Sequence, residues 1–120
     1  MGYFVALNYP DGRPCVVKKY SAGGILQLDP ETGEFGQTTT DISITYNYSA
    51  DLNNSFNFCF QDLNGKTGKE TVEKLAEIVE SFGTAVNPDY WLSTPGNIGH
   101  ICDILKGWAV KHPDAIWAVS

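Results

Sequence analysis

Residues 67–83 read TGKETVEKLAEIVESFG, a segment that has few stable forms other than an amphipathic helix. Thr67 followed three residues later by Glu70 is a capping-box pattern, in which each side chain satisfies a backbone donor at the helix start. Val72, Leu75, Ala76, Val79 and Phe82 recur at helical spacing, and Gly83 suits a C-terminal stop. The other face carries Glu73, Lys74, Glu77 and Glu80, with Glu70 and Lys74 at a favourable i,i+4 spacing. These features predict a helix over about 68–82. A second helix, over about 95–111, starts at Thr94 or Pro95, residue types preferred at the N-cap and first helical position. Its core stripe is Ile98, Ile101, Cys102, Leu105, Trp108 and Ala109. Ile104 and Val110 carry apolar surface beyond that stripe, so this helix should be the more buried of the two.

The first half of the chain has the shorter period of strands. YFVALNY (3–9) and CVVKKY (15–20) flank PDGRP, which fits a hairpin with a type I turn and a glycine-assisted bulge. GGILQLD (23–29) reads as a third strand. In TDISITYNYS, Ile42, Ile44, Tyr46 and Tyr48 alternate with Ser43, Thr45, Asn47 and Ser49, which predicts a fourth strand with one buried and one polar face. SFNFCFQ (55–61) repeats the alternation through Phe56, Phe58 and Phe60 and gives a fifth strand or a loop folded over the core. AIWAV supplies a last strand over 115–119, after HPDA ends the second helix. The expectation is one α+β domain, β-rich over 1–61 and helical over 67–112. Its mainly antiparallel sheet would hold five or six strands, with both helices on one face.

A chain of 120 residues, 42% of them apolar, can bury one real core and does not read as disordered. Eight Lys and Arg against fourteen Asp and Glu give a net charge of −6, which disfavours direct binding to duplex nucleic acid. Cys15, Cys59 and Cys102 are odd in number, far apart and without a CxxC pair, as expected of reduced, buried thiols in a cytoplasmic protein. MGYFVALNYP lacks the basic and long apolar segments of a signal peptide, and no apolar run approaches membrane-spanning length.

Catalytic patterns are sparse. NGKTGKET lacks the glycine that a phosphate-binding P-loop needs five positions before the Gly of its Gly-Lys-Ser/Thr, so it reads as a turn and a capped helix. His100 and His112 are twelve residues apart with no Cys-His cluster, so neither a metal nor another cofactor is expected. In STPGNIGH, Gly96 and Gly99 leave the first helical turn without bulky side chains. Close packing within the fold is the simpler explanation, since glycine weakens a helix and must be compensated. The alternative is a site for a small anionic ligand or nucleotide, built from Thr94, Gly96, Asn97, Gly99 and His100 at the positive end of the helix dipole. Thr45 and Asn47 on the polar strand face, with Tyr90 and Trp91 in the connector, are candidate partner contacts, because exposed aromatics anchor interfaces.

Taken together, DISITYN, LNGKTGKE, DYWLSTPGNIGH and WAVKHPDAIWAVS resemble a group of small uncharacterised proteins of bacteria, phages and prophages. In that group a TYN strand precedes GKTG, YW, TPGNAG and WA..HPDA segments. The similarity covers about 41–120, and Ile98 stands where the group's GNAG pattern has a small residue. No activity follows from it. It implies a mobile-element setting, and with it a non-enzymatic accessory protein that binds a macromolecule, such as an inhibitor or modulator of a host system. Self-association as a homodimer is compatible with the same reading. A hydrolase with dispersed acidic residues is the least favoured class.

Overall fold

A computed structural model describes residues 2–15, 40–89 and 91–120. Among these residues the fold is α+β, with a three-stranded antiparallel sheet and three α-helices. The strands are β1 (Gly2–Asn8), β2 (Asp41–Thr45) and β3 (Ile116–Val119), in the order β2-β1-β3. The helices are α1 (Ser49–Phe56), α2 (Gly68–Phe82) and α3 (Pro95–Lys111).

Alternation in the strands does what period 2 requires. Val5, Leu7, Ile42, Ile44, Trp117 and Val119 are buried in the core, while Phe4, Ser43, Ile116 and Ala118 on the opposite face are exposed. The helices therefore cover one face of the sheet. The turn after β1 also forms as expected: Gly12 N–H donates to Tyr9 O at 2.8 Å, Tyr9 N–H donates to Arg13 O at 2.8 Å, and Gly12 has φ +92°. The strand expected over 23–29, and the arm at 15–20 beyond Cys15, lie outside the described residues.

Two expected strands take other forms. β2 stops at Thr45, whose hydroxyl accepts the Asn47 N–H at 3.2 Å and caps a 3-10 turn over Tyr46–Tyr48. The chain then enters α1 and buries Leu52. SADLNN is rich in residues that hydrogen-bond locally and weaken strands, and this outweighs the apparent alternation. Asn57 ends α1 in the left-handed conformation at φ 50°. The segment read as a fifth strand is thus the end of α1 followed by a 3-10 turn over Phe60–Leu63. Its aromatic residues still serve the core: Phe58 and Phe60 are buried, and Phe56 packs edge-on against Phe82 at 5.2 Å.

The two long helices have the expected bounds. Glu70 accepts hydrogen bonds from the Thr67 N–H at 3.0 Å and from its hydroxyl at 2.8 Å, and these hold its carboxyl below the usual range. All six residues of the α3 stripe are buried, though Val110 is exposed and Ile104 half-buried. The α2 stripe is rotated from the expected one. Thr71, Leu75 and Ile78 are fully buried, whereas Val72, Val79 and Phe82 are half-buried at its margin. Thr71 is drawn inward because its hydroxyl accepts the Trp117 indole N–H at 2.8 Å, which satisfies a donor that would otherwise be stranded in the core. Of the three cysteines, Cys15 and Cys102 are buried as expected, but Cys59 is partly exposed beside the Tyr3 hydroxyl. No described helix is long and apolar enough to cross a membrane.

Candidate functional site

The start of α3 is organised by four of the five residues considered for an anion. Thr94 is the N-cap, its hydroxyl accepting the Asn97 N–H at 3.1 Å, and Pro95 occupies the first turn. Gly96 and Gly99 are then explained by the connector from α2. A Cβ at Gly96 would lie 2.7 Å from the Ala85 carbonyl carbon, and one at Gly99 would lie 2.9 Å from that of Gly83. The backbone of α3 and the connector approach too closely for any side chain at either position. Close packing against the connector thus accounts for both glycines.

Asn97 completes the arrangement. It is only 3% exposed, accepts the Asn87 N–H at 2.8 Å, and donates to Asp89 O at 3.1 Å and Leu92 O at 2.9 Å. One side-chain amide therefore ties down three backbone groups of the connector. The connector adds its own turns: the Asn87 side chain accepts the Asp89 N–H at 2.8 Å, and the Asp89 carboxylate accepts the Trp91 N–H at 3.1 Å. Side chains of this type reproduce a backbone turn, which gives a loop without regular structure a defined course. His100 is half-buried one residue beyond Gly99.

The candidate partner contacts divide. Thr45 is 4% exposed and used in capping, so it is not a surface contact, and the continuous polar strand face expected through Ser49 does not exist. Asn47 and Trp91 are brought together: the Asn47 side-chain amide donates to Trp91 O at 2.9 Å. The Ser93 hydroxyl donates to the Asp51 carboxylate, fastening the same connector to α1. Tyr90 lies outside the described residues. Held this way, Trp91 is 60% exposed, with Leu92 at 48% beside it and Tyr46, the neighbour of Asn47, at 45%. Tyr46 is braced by an edge-on contact with Tyr3 at 4.7 Å. Sequence reasoning missed Tyr46, Leu92, Asp51 and Asp89. The Asp89-x-Trp91 spacing, an Asx-turn pattern, was the available signal for Asp89.

Charge is distributed unevenly around this patch. Residues 75–105 contain no Lys or Arg, and neither do residues 40–65. Those stretches supply the end of α2, the connector, the start of α3 and all of α1, and they place Asp51, Glu80 and Asp89 at this end of the molecule. Among the described residues, Lys69 and Arg13 lie toward the other end. Lys69 pairs with Asp114 at 3.5 Å, the Arg13 guanidinium lies 5.6 Å over the Tyr9 ring, and Tyr9 stacks edge-on with His112 at 5.7 Å.

Among the described residues, no three His, Cys, Asp or Glu side chains converge to hold a metal ion. A groove of about 390 Å³ beside the start of α2 is lined by Asp62, Lys66, Glu70 and Lys74, among others. Its carboxylates are committed to structure, Glu70 at the α2 cap and Asp62 accepting the Cys59 N–H at 3.0 Å. Against known proteins, no protein-family model matches this chain, and neither a curated protein nor a solved structure does.

Proposed function

We propose that this chain is a non-enzymatic accessory protein that acts by binding a macromolecular partner, in the manner of an inhibitor or modulator of a host system. One observation carries the reading. Trp91 and Leu92 are exposed on a connector that is hydrogen-bonded at Asn97, Asn47 and Asp51, so the aromatic anchor is presented by a fixed frame. Apolar side chains displayed on a pre-ordered loop lose little conformational entropy on binding, and tryptophan is the residue most enriched at interface hot spots. An equally exposed tryptophan on a mobile loop would forfeit much of that advantage. The resemblance of 41–120 to small phage and prophage proteins supplies the setting, a mobile element and its bacterial host.

The test is capture of partners from a bacterial lysate by the tagged wild-type protein and by Trp91→Ala. Truncating an exposed side chain leaves the fold intact, and an unchanged melting temperature verifies this. The reading expects a discrete partner that Trp91→Ala fails to retain. Capture that is indifferent to Trp91, or absence of any partner together with a monomer at all concentrations, would overturn it.

A further inference from the structure

The charge around Trp91 narrows the kind of partner. We infer that the Tyr46–Trp91–Leu92 surface is a docking site for a lysine- or arginine-bearing segment of another protein; the inference rests on the proposal that this surface binds a partner at all. An apolar patch by itself would leave the occupant open, but here the carboxylates are built into the patch. Asp89 is hydrogen-bonded to the Trp91 N–H, and Asp51 is bonded through Ser93 to the same loop. Glu80 lies in the last turn of α2, and no Lys or Arg of 40–65 or 75–105 offsets these charges.

An acidic partner surface would meet repulsion from Asp51 and Asp89 here, and a wholly apolar one would strand the carboxylates in a dry interface. A guanidinium or ammonium group satisfies both features of the site. Its charge pairs with Asp51 or Asp89, while its planar head or methylene stem lies on the indole of Trp91. Arginine meets this chemistry best, because it can stack on an aromatic face and bond a carboxylate in the same pose.

A synthetic arginine-rich peptide and its glutamate-substituted counterpart test the assignment directly. Trp108 and Trp117 are 4% and 1% exposed, so fluorescence that acrylamide can quench reports on Trp91. The arginine peptide is expected to protect this emission and to bind more weakly as salt is raised, whereas the glutamate peptide does neither. Trp91→Ala should weaken binding, measured by calorimetry, roughly tenfold. Asp51→Asn with Asp89→Asn, which preserves the hydrogen-bond acceptors but removes both charges, should weaken it as strongly. Asp11→Asn with Asp114→Asn makes the same change in net charge at the opposite end and should have little effect. Equal weakening by the two double variants would mean that net charge alone attracts the peptide, and would overturn the assignment. So would failure of the arginine peptide to protect Trp91, or a concentration-dependent dimer lost in Trp91→Ala, which would make a second copy the occupant. If lysate capture still depends on Trp91 in any of these cases, the basic-segment assignment fails while the partner-binding reading stands.

Discussion

Gly99 and Gly107 lie in the same helix, and alanine at these two positions should have opposite effects. Alanine exceeds glycine in helix propensity by roughly 1 kcal/mol, since glycine loses more backbone freedom on folding. At Gly107 a Cβ would meet nothing within 4 Å, so Gly107→Ala should realise most of that gain. At Gly99 the same methyl would fall on the Gly83 carbonyl, 2.9 Å from its carbon and 3.4 Å from the Phe82 Cβ. Gly83 cannot easily yield, because it ends α2 at φ 73° with its N–H bonded to Val79 O at 2.8 Å. Clearing the clash requires α3 to move away from the α2–connector junction and to open contacts with Ile98 and Cys102 in its first turns. Overpacking of this kind typically costs about 1–3 kcal/mol, and opening the adjacent core adds to it. After subtracting the propensity gain, Gly99→Ala should lose about 2 kcal/mol. Urea unfolding followed by far-ultraviolet circular dichroism reads this as a midpoint lowered by roughly 1 M at unchanged slope. The melting temperature should fall by about 8 °C for a domain of this size. If Gly99→Ala is as stable as the wild type, or if Gly107→Ala falls with it, close packing is not why glycine stands at Gly99.

Further consequences concern the connector and the core thiol. Asn97→Ala leaves the Asn87 N–H and the Asp89 and Leu92 carbonyls without their partner, a loss of about 1–3 kcal/mol when such groups remain shielded from water. Hydrogen exchange should quicken across 87–92 while α2 and α3 keep their protection, and unchanged exchange in the connector would contradict the staple role. Burial pushes the Cys102 thiol well above its ordinary value. In alkaline solution the unfolded chain therefore binds fewer protons at this site than the native one, and stability falls as pH rises past ~8.5, by up to about 1.4 kcal/mol per pH unit. Urea midpoints measured across that range should decline less steeply in Cys102→Ala than in the wild type, and parallel declines would refute the assignment.

The sequence by itself determined the parts whose information is local. Each long helix carries its boundary signals within its own residues: Thr67 with Glu70 and Gly83 for α2, Thr94 with Pro95 for α3. Both helices accordingly have the expected bounds. The turn at Gly12 and the edges of β1 and β3 were legible for the same reason, since turn chemistry and a short alternating run suffice to specify them. Where two local signals conflicted, period alone misled. Residues 42–49 alternate like a strand, yet the capping hydroxyl of Thr45 and the polar run after Tyr48 turned the chain into a helix.

What only the tertiary structure decided is whatever depends on a partner far along the chain. The face of α2 that turns inward is set by the Trp117 indole reaching Thr71, a contact across 46 residues. The glycines of α3 are explained by a connector that has no periodicity to predict its path. The candidate surface arises because Asn47, Asp51 and Trp91 come together only after α1 docks beside the connector. Hydrogen bonds and steric exclusion act over a few ångströms in space, whereas sequence patterns register only neighbours along the chain. Helices with caps are therefore legible in the sequence, and a surface assembled from two loops and a helix is not.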